Sequence, residues 1–368
     1  MAKSRLDRTF GGRTVLVTGH TGFIGSWLTL WLHEMGANVV GYSLGLPTKP
    51  AMFGMLGLEK KIASIKGDVR DFRKLRSTVL RHRPEFVFHL AAQPIVRLSY
   101  DKPLETLETN IIGTANLLES ARSAGSVRSC VVFTSDKCYA NRETGRAYRE
   151  DDPMGGHDPY SSSKGAAELV SASFRSSFFN SSRSHGVAIS TARAGNVIGG
   201  GDWAQDRIVP DCMSALSSGT PIRIRNPGYT RPFQHVLEPV SGILCLAMRM
   251  REAPSRFSEA WNFGPRVTGT KPAVRDLVNM VIREWGAGRW VHANPGSSPH
   301  EASTLFLDSS KANRKLGWRP VYSLSEAVAE TVSWYRKYHG GKDMREVTLG
   351  QLQSYREKAE KLNIIWAR

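Results

Sequence analysis

Tyr160 and Lys164 lie four residues apart in Asp158-Pro-Tyr-Ser-Ser-Ser-Lys164. Proline suits the first turn of a helix and serine tolerates its ends, so the stretch reads as a helix start. On that helix the two side chains share a face, with Cβ atoms about 5–6 Å apart. An ammonium beside a phenol favours the phenolate and can bring a pKa of about 10 toward working pH. A shift of about 3 units asks for about 4 kcal/mol of differential stabilisation. That demands a dry, positively charged site, such as one beside an oxidised nicotinamide. Any surface helix can carry Tyr-x-x-x-Lys, so the weight rests on Thr134-Ser-Asp-Lys137 upstream. Those residues close an apolar strand pattern, Cys130 to Phe133.

The elements that must position these groups run back to the start of the chain. Thr14 to Thr18 is a short buried strand by its β-branched content. Gly19-His-Thr-Gly22-Phe-Ile-Gly25 follows, then an apolar helical stretch from Ser26 to Met35. Strand, glycine-rich turn and helix form the dinucleotide-binding arrangement, here spaced G-x-x-G-x-x-G. Gly19 permits the tight turn, Gly22 lets backbone approach pyrophosphate, and Gly25 lets helix pack on strand. The helix N-terminus offers free N–H groups to phosphate. The second strand, Asn38 to Tyr42, ends on Ser43-Leu-Gly-Leu-Pro47. That segment has neither a carboxylate for a ribose nor an arginine for a 2′-phosphate, so this position leaves NAD and NADP both open.

Asp68 follows a third strand, Ile62 to Ile65, and is placed either to meet an adenine edge or to cap the next helix. Phe86 to Ala92 is a fourth strand whose small Ala91-Ala92 end lets a cofactor lie close. Gln93 follows at the carboxyl edge, where open α/β sheets place their ligands. Leu104 to Ser120 reads as one long helix, with Asn110 either tying backbone together or an ordinary polar residue. The fifth strand brings Ser135, Asp136 and Lys137 to the same edge. Val187 to Arg193 is the sixth, and Asn196 just beyond it is a candidate for a substrate diphosphate. Ile222 to Arg225 alternates as a strand with Pro227-Gly228 as its turn. Arg231 follows, and a guanidinium suits a diphosphate because it binds bidentately. Arg223 and Arg225 read instead as solvated. Gln234 and Glu301 are candidates to read sugar or base. Trp261 to Gly264 looks like a strand returning to the first sheet, and 271–285 and 323–337 are amphipathic helices.

The chain has 368 residues, enough for two lobes. Its boundaries read as 1–197 with a return segment at about 236–266 for the first lobe. Segments 198–235 and 267–340 form the second, and 341–368 a tail whose helix packs on the surface or fills a groove. Residues 1–12 read as a flexible start, and Gly340-Gly341 as the end of the globular body. Four cysteines without Cys-x-x-Cys spacing suit a reducing compartment. No apolar run reaches the roughly 18 residues of a membrane span, and no apolar segment follows the basic N-terminus as in a secretory signal. The expectation is a cytoplasmic protein. The net charge of +17 raises nucleic-acid binding. The basic residues are scattered, however, and no zinc-finger, RRM or KH pattern appears, so no nucleic-acid partner is expected. His235 and His300 lack partners at i+3 or i+4, so no metal site is expected.

Taken together, Gly19/Gly22/Gly25, Gly67-Asp68, His89-Leu-Ala-Ala92, Ser135 and Tyr160/Lys164 resemble the extended short-chain dehydrogenase/reductase family. Longer motifs narrow the resemblance to its sugar-nucleotide 4,6-dehydratases, in particular those that take CDP-glucose. These are Thr134-Ser-Asp-Lys-Cys-Tyr139, Arg193-Ala-Gly-Asn-Val-Ile-Gly-Gly-Gly-Asp-Trp203 and Arg231-Pro-Phe-Gln-His-Val-Leu-Glu-Pro239, with His300-Glu-Ala302 and Leu316-Gly-Trp-Arg-Pro320. The resemblance runs from about residue 10 to about 340. It implies an α/β fold, with a doubly wound, mostly parallel Rossmann sheet and a smaller C-terminal substrate-binding lobe.

It implies NAD held by Gly19, Thr21, Gly22, Phe23, Ile24, Gly25, Asp68, Val69, Leu90, Ala91, Ala92, Thr109, Tyr160 and Lys164. It implies CDP-glucose as substrate near Gln93, Asn196, Arg207, Arg231, Gln234 and Glu301. Tyr160, with Ser135 and Lys164, would take the 4-hydroxyl proton. Asp136 would protonate the departing 6-hydroxyl, and Lys137 would either take the C5 proton or stabilise the enolate. Lysine is a base only as the free amine, which asks for a lowered pKa. By resemblance, dehydratases of deoxythymidine- and UDP-glucose carry Asp-Glu at this point, and 4-epimerases carry neither pair. The resemblance also implies a homodimer built as a four-helix bundle from helices at about 104–122 and 160–178. Another 4,6-dehydratase, a 4-epimerase and a dinucleotide sensor without turnover are the alternatives.

Overall fold

A computed structural model of the chain describes residues 3–179, 187–266, 271–293 and 302–368. Helix α1 (Arg5–Phe10) leads into β1 (Thr14–Thr18), α2 (Phe23–Glu34), β2 (Asn38–Ser43), α3 (Met52–Met55) and β3 (Ala63–Lys66). Then come α4 (Phe72–His82), β4 (Phe86–His89), α5 (Val96–Asp101), α6 (Pro103–Leu107), α7 (Gly113–Arg122) and β5 (Ser129–Phe133). After α8 (Pro159–Phe174) follow β6 (Ala188–Arg193), β7 (Val197–Ile198), α9 (Ile208–Ser217), β8 (Ile222–Ile224) and β9 (Gln234–His235). The chain closes with α10 (Leu237–Glu252), α11 (Pro254–Phe257), β10 (Ala260–Asn262), α12 (Val274–Trp285), β11 (Trp290–His292), α13 (Leu324–His339) and α14 (Met344–Lys361).

Seven strands form one sheet in the order β10-β6-β5-β4-β1-β2-β3, every neighbouring pair parallel. Strands buried on both faces need apolar runs rather than alternation, and Val15, Leu16 and Val17 or Phe86, Val87 and Phe88 supply them. The order reverses between β1 and β4, which opens a crevice at the carboxyl ends of those strands. One face carries α2 and α10, both apolar around most of their circumference, with Trp27, Trp31 and Leu244 fully buried. The other face carries α4 and α7. A second apolar cluster joins α9, β8, α12 and α13 into the smaller lobe. Ala312, Leu316, Trp318 and Val321 pack on the sheet lobe instead.

Three expectations need correction. The start of the chain is no loose tail. Ser4 and Asp7 form a capping box for α1, and Leu6 and Phe10, one helical turn apart, are buried. The Phe10 ring lies 4.7 Å from that of Phe86. Nor does the body end at Gly340-Gly341. Helix α14 buries Leu352, Tyr355 and Ala359 in the main core, and Trp366 stacks on Tyr355. Finally, the helix expected from Leu104 to Ser120 is α6 and α7 joined by a π-helical turn, Glu108–Ile112. Its Asn110 is buried and bonds the backbone N–H and C=O of Gln93 and the Ser163 hydroxyl. One added residue in the turn brings that side chain inward.

Candidate active site

A cleft of about 720 Å³ runs along the carboxyl edge of the sheet and under the smaller lobe. At its floor the turn after β1 is tight: Gly19 has φ of +73°, and a Cβ there would stand 2.7 Å from the Ala91 nitrogen. Gly22 caps α2 and has no side chain to occupy the first N–H groups, so the helix start is bare toward the cleft. Thr21, Phe23, Ile24, Val69, Leu90, Ala91, Ala92 and Thr109 line the same channel. Asp68 lines it too, but it does not cap the next helix, which Asp71 does. Its carboxylate takes a 2.7 Å ion pair from Arg70, which holds its pKa down. Ser43 at the end of β2 is turned toward His20, at 2.9 Å. The wall from Leu44 to Thr48 carries no charge. A dinucleotide fits this channel: bare helix N–H groups could take its phosphates, and the small side chains of Ala91 and Ala92 leave room along the wall.

Ser135, Asp136 and Lys137 leave β5 into a short 3-10 turn. Asp136 is 2% exposed. Its carboxylate accepts from the Ser135 hydroxyl at 3.0 Å and from Asn196 Nδ2 at 3.2 Å. Burial raises its pKa, only partly offset by the Lys137 charge and the Ser135 hydrogen bond. Gly195 is obligatory beside it, because a Cβ there would meet Asp136 Oδ2 at 2.0 Å. Lys137 is half-buried and lines the cleft. Asp158 caps α8 by accepting from the Ser161 N–H at 2.9 Å, with Pro159 in the first turn, so the helix starts where expected. Tyr160 and Lys164 therefore share one face, the Lys164 amine 5.9 Å from the phenol ring centre.

The expected lowering of the Tyr160 pKa is absent in the chain alone. Burial pushes the phenol up to about 12, with the Ser135 hydrogen bond and Arg207 working against it. Burial likewise brings the Lys164 ammonium down to about 8. A dry pocket disfavours charge on both groups, and one amine at that distance does not overcome it.

Beneath the cleft lies a buried network. Glu168, one turn past Lys164, accepts from Thr134 Oγ1 at 2.5 Å, Thr191 Oγ1 at 2.7 Å and Arg193 at 2.7 Å. Arg193 also bonds the Tyr139 hydroxyl, which donates to Asn262. The ends of β5, β6 and β10 and the middle of α8 are thereby tied around the Ser135–Lys137 turn.

Of the proposed substrate residues, Asn196, Arg207 and Arg231 face the cleft. Arg207 pairs with Asp202 at 2.9 Å, and Arg231 donates to the Thr230 and Ser303 carbonyls. Gln93 and Gln234 are not part of the lining. The Gln93 amide is spent on Ile95 and Thr106, and the Gln234 Nε2 donates to the carbonyls of Gly195 and Phe263, while its Oε1 is buried without a partner among the described residues. Both read as ligand groups because they sit at the carboxyl edge, but their side chains turn into the protein. Glu301 and His300 lie outside the described residues. Sequence reasoning missed Arg97, Asp202, Asp206, Asp211 and Tyr229, and set Arg223 and Arg225 aside as solvated; all line the cleft. The only local hint was a lone arginine, Arg97, after the apolar Pro94-Ile95-Val96. Among the described residues no group of three His, Cys, Asp or Glu side chains could hold a metal, and no helix is long and apolar enough to cross a membrane.

Residues 16–331 match the family model described as GDP-mannose 4,6 dehydratase. The chain is 48% identical over 353 residues to the CDP-glucose 4,6-dehydratase of Salmonella typhimurium, covering 95% of this chain and 98% of that one. Among solved structures, the UDP-glucose 4-epimerase of Thermotoga maritima superposes with a TM-score of 0.75 at 25% identity, over 89% of this chain and 99% of that one. The dTDP-glucose 4,6-dehydratase of Streptomyces venezuelae, solved with NAD bound, gives 0.74 at 24% identity, over 90% and 99%, and so shares the fold. A match over this much of the sheet, the cleft and the smaller lobe means that the chain belongs to the GDP-mannose 4,6-dehydratase family, within the extended short-chain dehydrogenases/reductases.

Proposed function

We propose that the chain is an NAD-dependent 4,6-dehydratase that converts CDP-D-glucose to CDP-4-dehydro-6-deoxy-D-glucose. The observation that carries this reading is Asp136: a carboxyl 2% exposed, its pKa raised, next to Lys137 at the mouth of the Ser135–Tyr160–Lys164 corner. Moving a hydride needs only Ser, Tyr and Lys. Eliminating water needs an additional acid and base, and this pair supplies them.

Gly19, Thr21, Gly22, Phe23, Ile24, Gly25, Asp68, Val69, Leu90, Ala91, Ala92 and Thr109 would hold the dinucleotide. When bound, it supplies a hydride acceptor at C4 of the sugar, a hydride donor to C6 and, oxidised, positive charge beside Tyr160. Tyr160, hydrogen-bonded by Ser135, takes the 4-hydroxyl proton as C4 becomes a ketone. The ketone acidifies the C5 proton. Lys137 as free amine takes that proton and gives one back to C5 when C6 receives hydride; charged, it would instead stabilise the enolate. Asp136, favoured as the neutral acid, gives its proton to the 6-hydroxyl, which leaves as water. Asn196, Arg207 and Arg231 hold the diphosphate. The relative that is 48% identical supports cytosine as the base. Four buried, unpaired cysteines support a cytoplasmic setting. Exposed Leu104, Ile112, Leu169 and Phe178 on α6 to α8 and the turns that extend them support a homodimer joined as a four-helix bundle.

The test is incubation with NAD and, separately, CDP-, UDP-, GDP- and deoxythymidine-diphosphoglucose, following the 4-keto-6-deoxy product by its absorbance in alkali. CDP-glucose is expected to turn over without net NADH. Turnover of another sugar nucleotide alone would keep the mechanism and replace the substrate. No turnover of any would leave a 4-epimerase or a sensor. Lys137→Met is expected to lower kcat by about a hundredfold or more while CDP still binds.

A further inference from the structure

Asp206 sits at the mouth of the cleft with φ of +61°, a left-handed conformation that few side chains other than Asn and Asp accept. Its Oδ1 is shared by two guanidiniums from the two lobes. Arg97, on α5, lies 3.4 Å away, and Arg225, just past β8, lies 3.3 Å away. All three line the cleft. The arginines of this cleft fall into two tiers. Arg207 and Arg231 act on Tyr160 and Asp136, where the sugar reacts. Arg97 and Arg225 instead share Asp206, whose side chain is 37% exposed where the Asp202 paired with Arg207 is 4% exposed.

A sugar nucleotide whose hexose reaches Tyr160 must carry its two phosphates outward in series. The inner tier then meets the sugar-side phosphate. We propose that Arg97 and Arg225 form an outer guanidinium pair for the nucleoside-side phosphate, and that Asp206 is the built-in counter-ion this phosphate displaces. The proposal rests on the sugar-nucleotide reading above. A carboxylate that offers one oxygen to two guanidiniums is a poor match for both. A phosphate offers each fork its own oxygens and satisfies both bidentately. Until then Asp206 holds two long side chains from separate lobes in register. Filling the pair with phosphate links the lobes across the mouth. Asp211 feels the charge of the same arginines, and burial and the Asp206 charge beside it push its carboxyl up to about 6, but it is Asp206 that pairs with both.

The experiment is calorimetric titration of CDP, UDP, deoxythymidine diphosphate and cytidine into wild type, Asp206→Asn and Arg97→Gln, at low and high salt. Asparagine keeps the left-handed backbone and removes the charge. Asp206→Asn is expected to bind CDP about three- to tenfold more tightly at low salt, less so at high salt, with cytidine unmoved. Arg97→Gln is expected to bind CDP more weakly by a similar factor. CDP binding no tighter in Asp206→Asn, or unchanged in Arg97→Gln, would overturn the pair. If Asp206→Asn fails to fold, Arg97→Gln decides, since its side chain is 40% exposed. A protein that does not turn over CDP-glucose but binds another nucleoside diphosphate more tightly in Asp206→Asn would overturn the substrate and keep the pair.

Discussion

Lys164 is held where a charge is expensive. Its side chain is 6% exposed, and burial brings its pKa from 10.5 to about 8. The unfolded chain takes up that proton at about 10.4. Between those values unfolding binds a proton, so this group makes stability rise with pH there; below pH 8 its burial cost is fully present. Lys164→Met is therefore expected to stabilise the NAD-free protein at pH 7 by about 1–3 kcal/mol, and to abolish turnover. The gain should shrink as pH approaches 10.5. Urea unfolding at pH 7 and pH 10 checks both; a destabilised variant at pH 7 would mean that the amine is structural. The geometry of this corner was legible because it is local: a cap, a proline and a four-residue spacing put Tyr160 and Lys164 on one face whatever surrounds them. The phenol's pKa was not, because it depends on how deeply the fold buries it.

At the scale of elements, the buried Glu168–Arg193 pair holds the turn that carries Ser135 to Lys137. Helix α8, β5 and β6 meet there, with both side chains about 5% exposed. Glu168→Gln leaves an uncompensated buried guanidinium and is expected to cost about 3–5 kcal/mol, measured by urea unfolding. Adding Arg193→Met should recover part of that loss; a double variant no better than the single one would refute the pairing. The sheet strands were legible from their apolar runs, and the glycine turn from its place between strand and helix. The π-turn at Glu108–Ile112 was not, because one inserted helical residue leaves the apolar spacing almost unchanged. That Gln93 and Gln234 lie outside the cleft lining was hidden for a related reason. A position at the strand end is readable, but side-chain direction depends on the loop that follows.

At the scale of the whole molecule, long-range packing was the least legible level. Arg5 donates its N–H to the Arg368 carbonyl at 2.6 Å, and Trp31, Tyr355 and Trp366 meet as one aromatic cluster. A polar helix such as α14 shows its few buried residues only once a groove exists to receive them. The opposite problem arises on α6 to α8, where apolar residues face outward. Leu104, Ile112 and Leu169 are 72%, 52% and 61% exposed, on helices that pack against one another. Nothing in the described chain covers them, and a second copy would present the same surface. A two-fold axis pairs a patch with itself, so one charge introduced there is placed twice in the interface. Leu169→Glu is therefore expected to turn a dimer into a monomer by light scattering, with unfolding stability of the monomer within about 0.5 kcal/mol, since an exposed leucine contributes little to its own core. A dimer that persists in Leu169→Glu would move the interface off these helices. A wild type that is already monomeric would remove the bundle altogether.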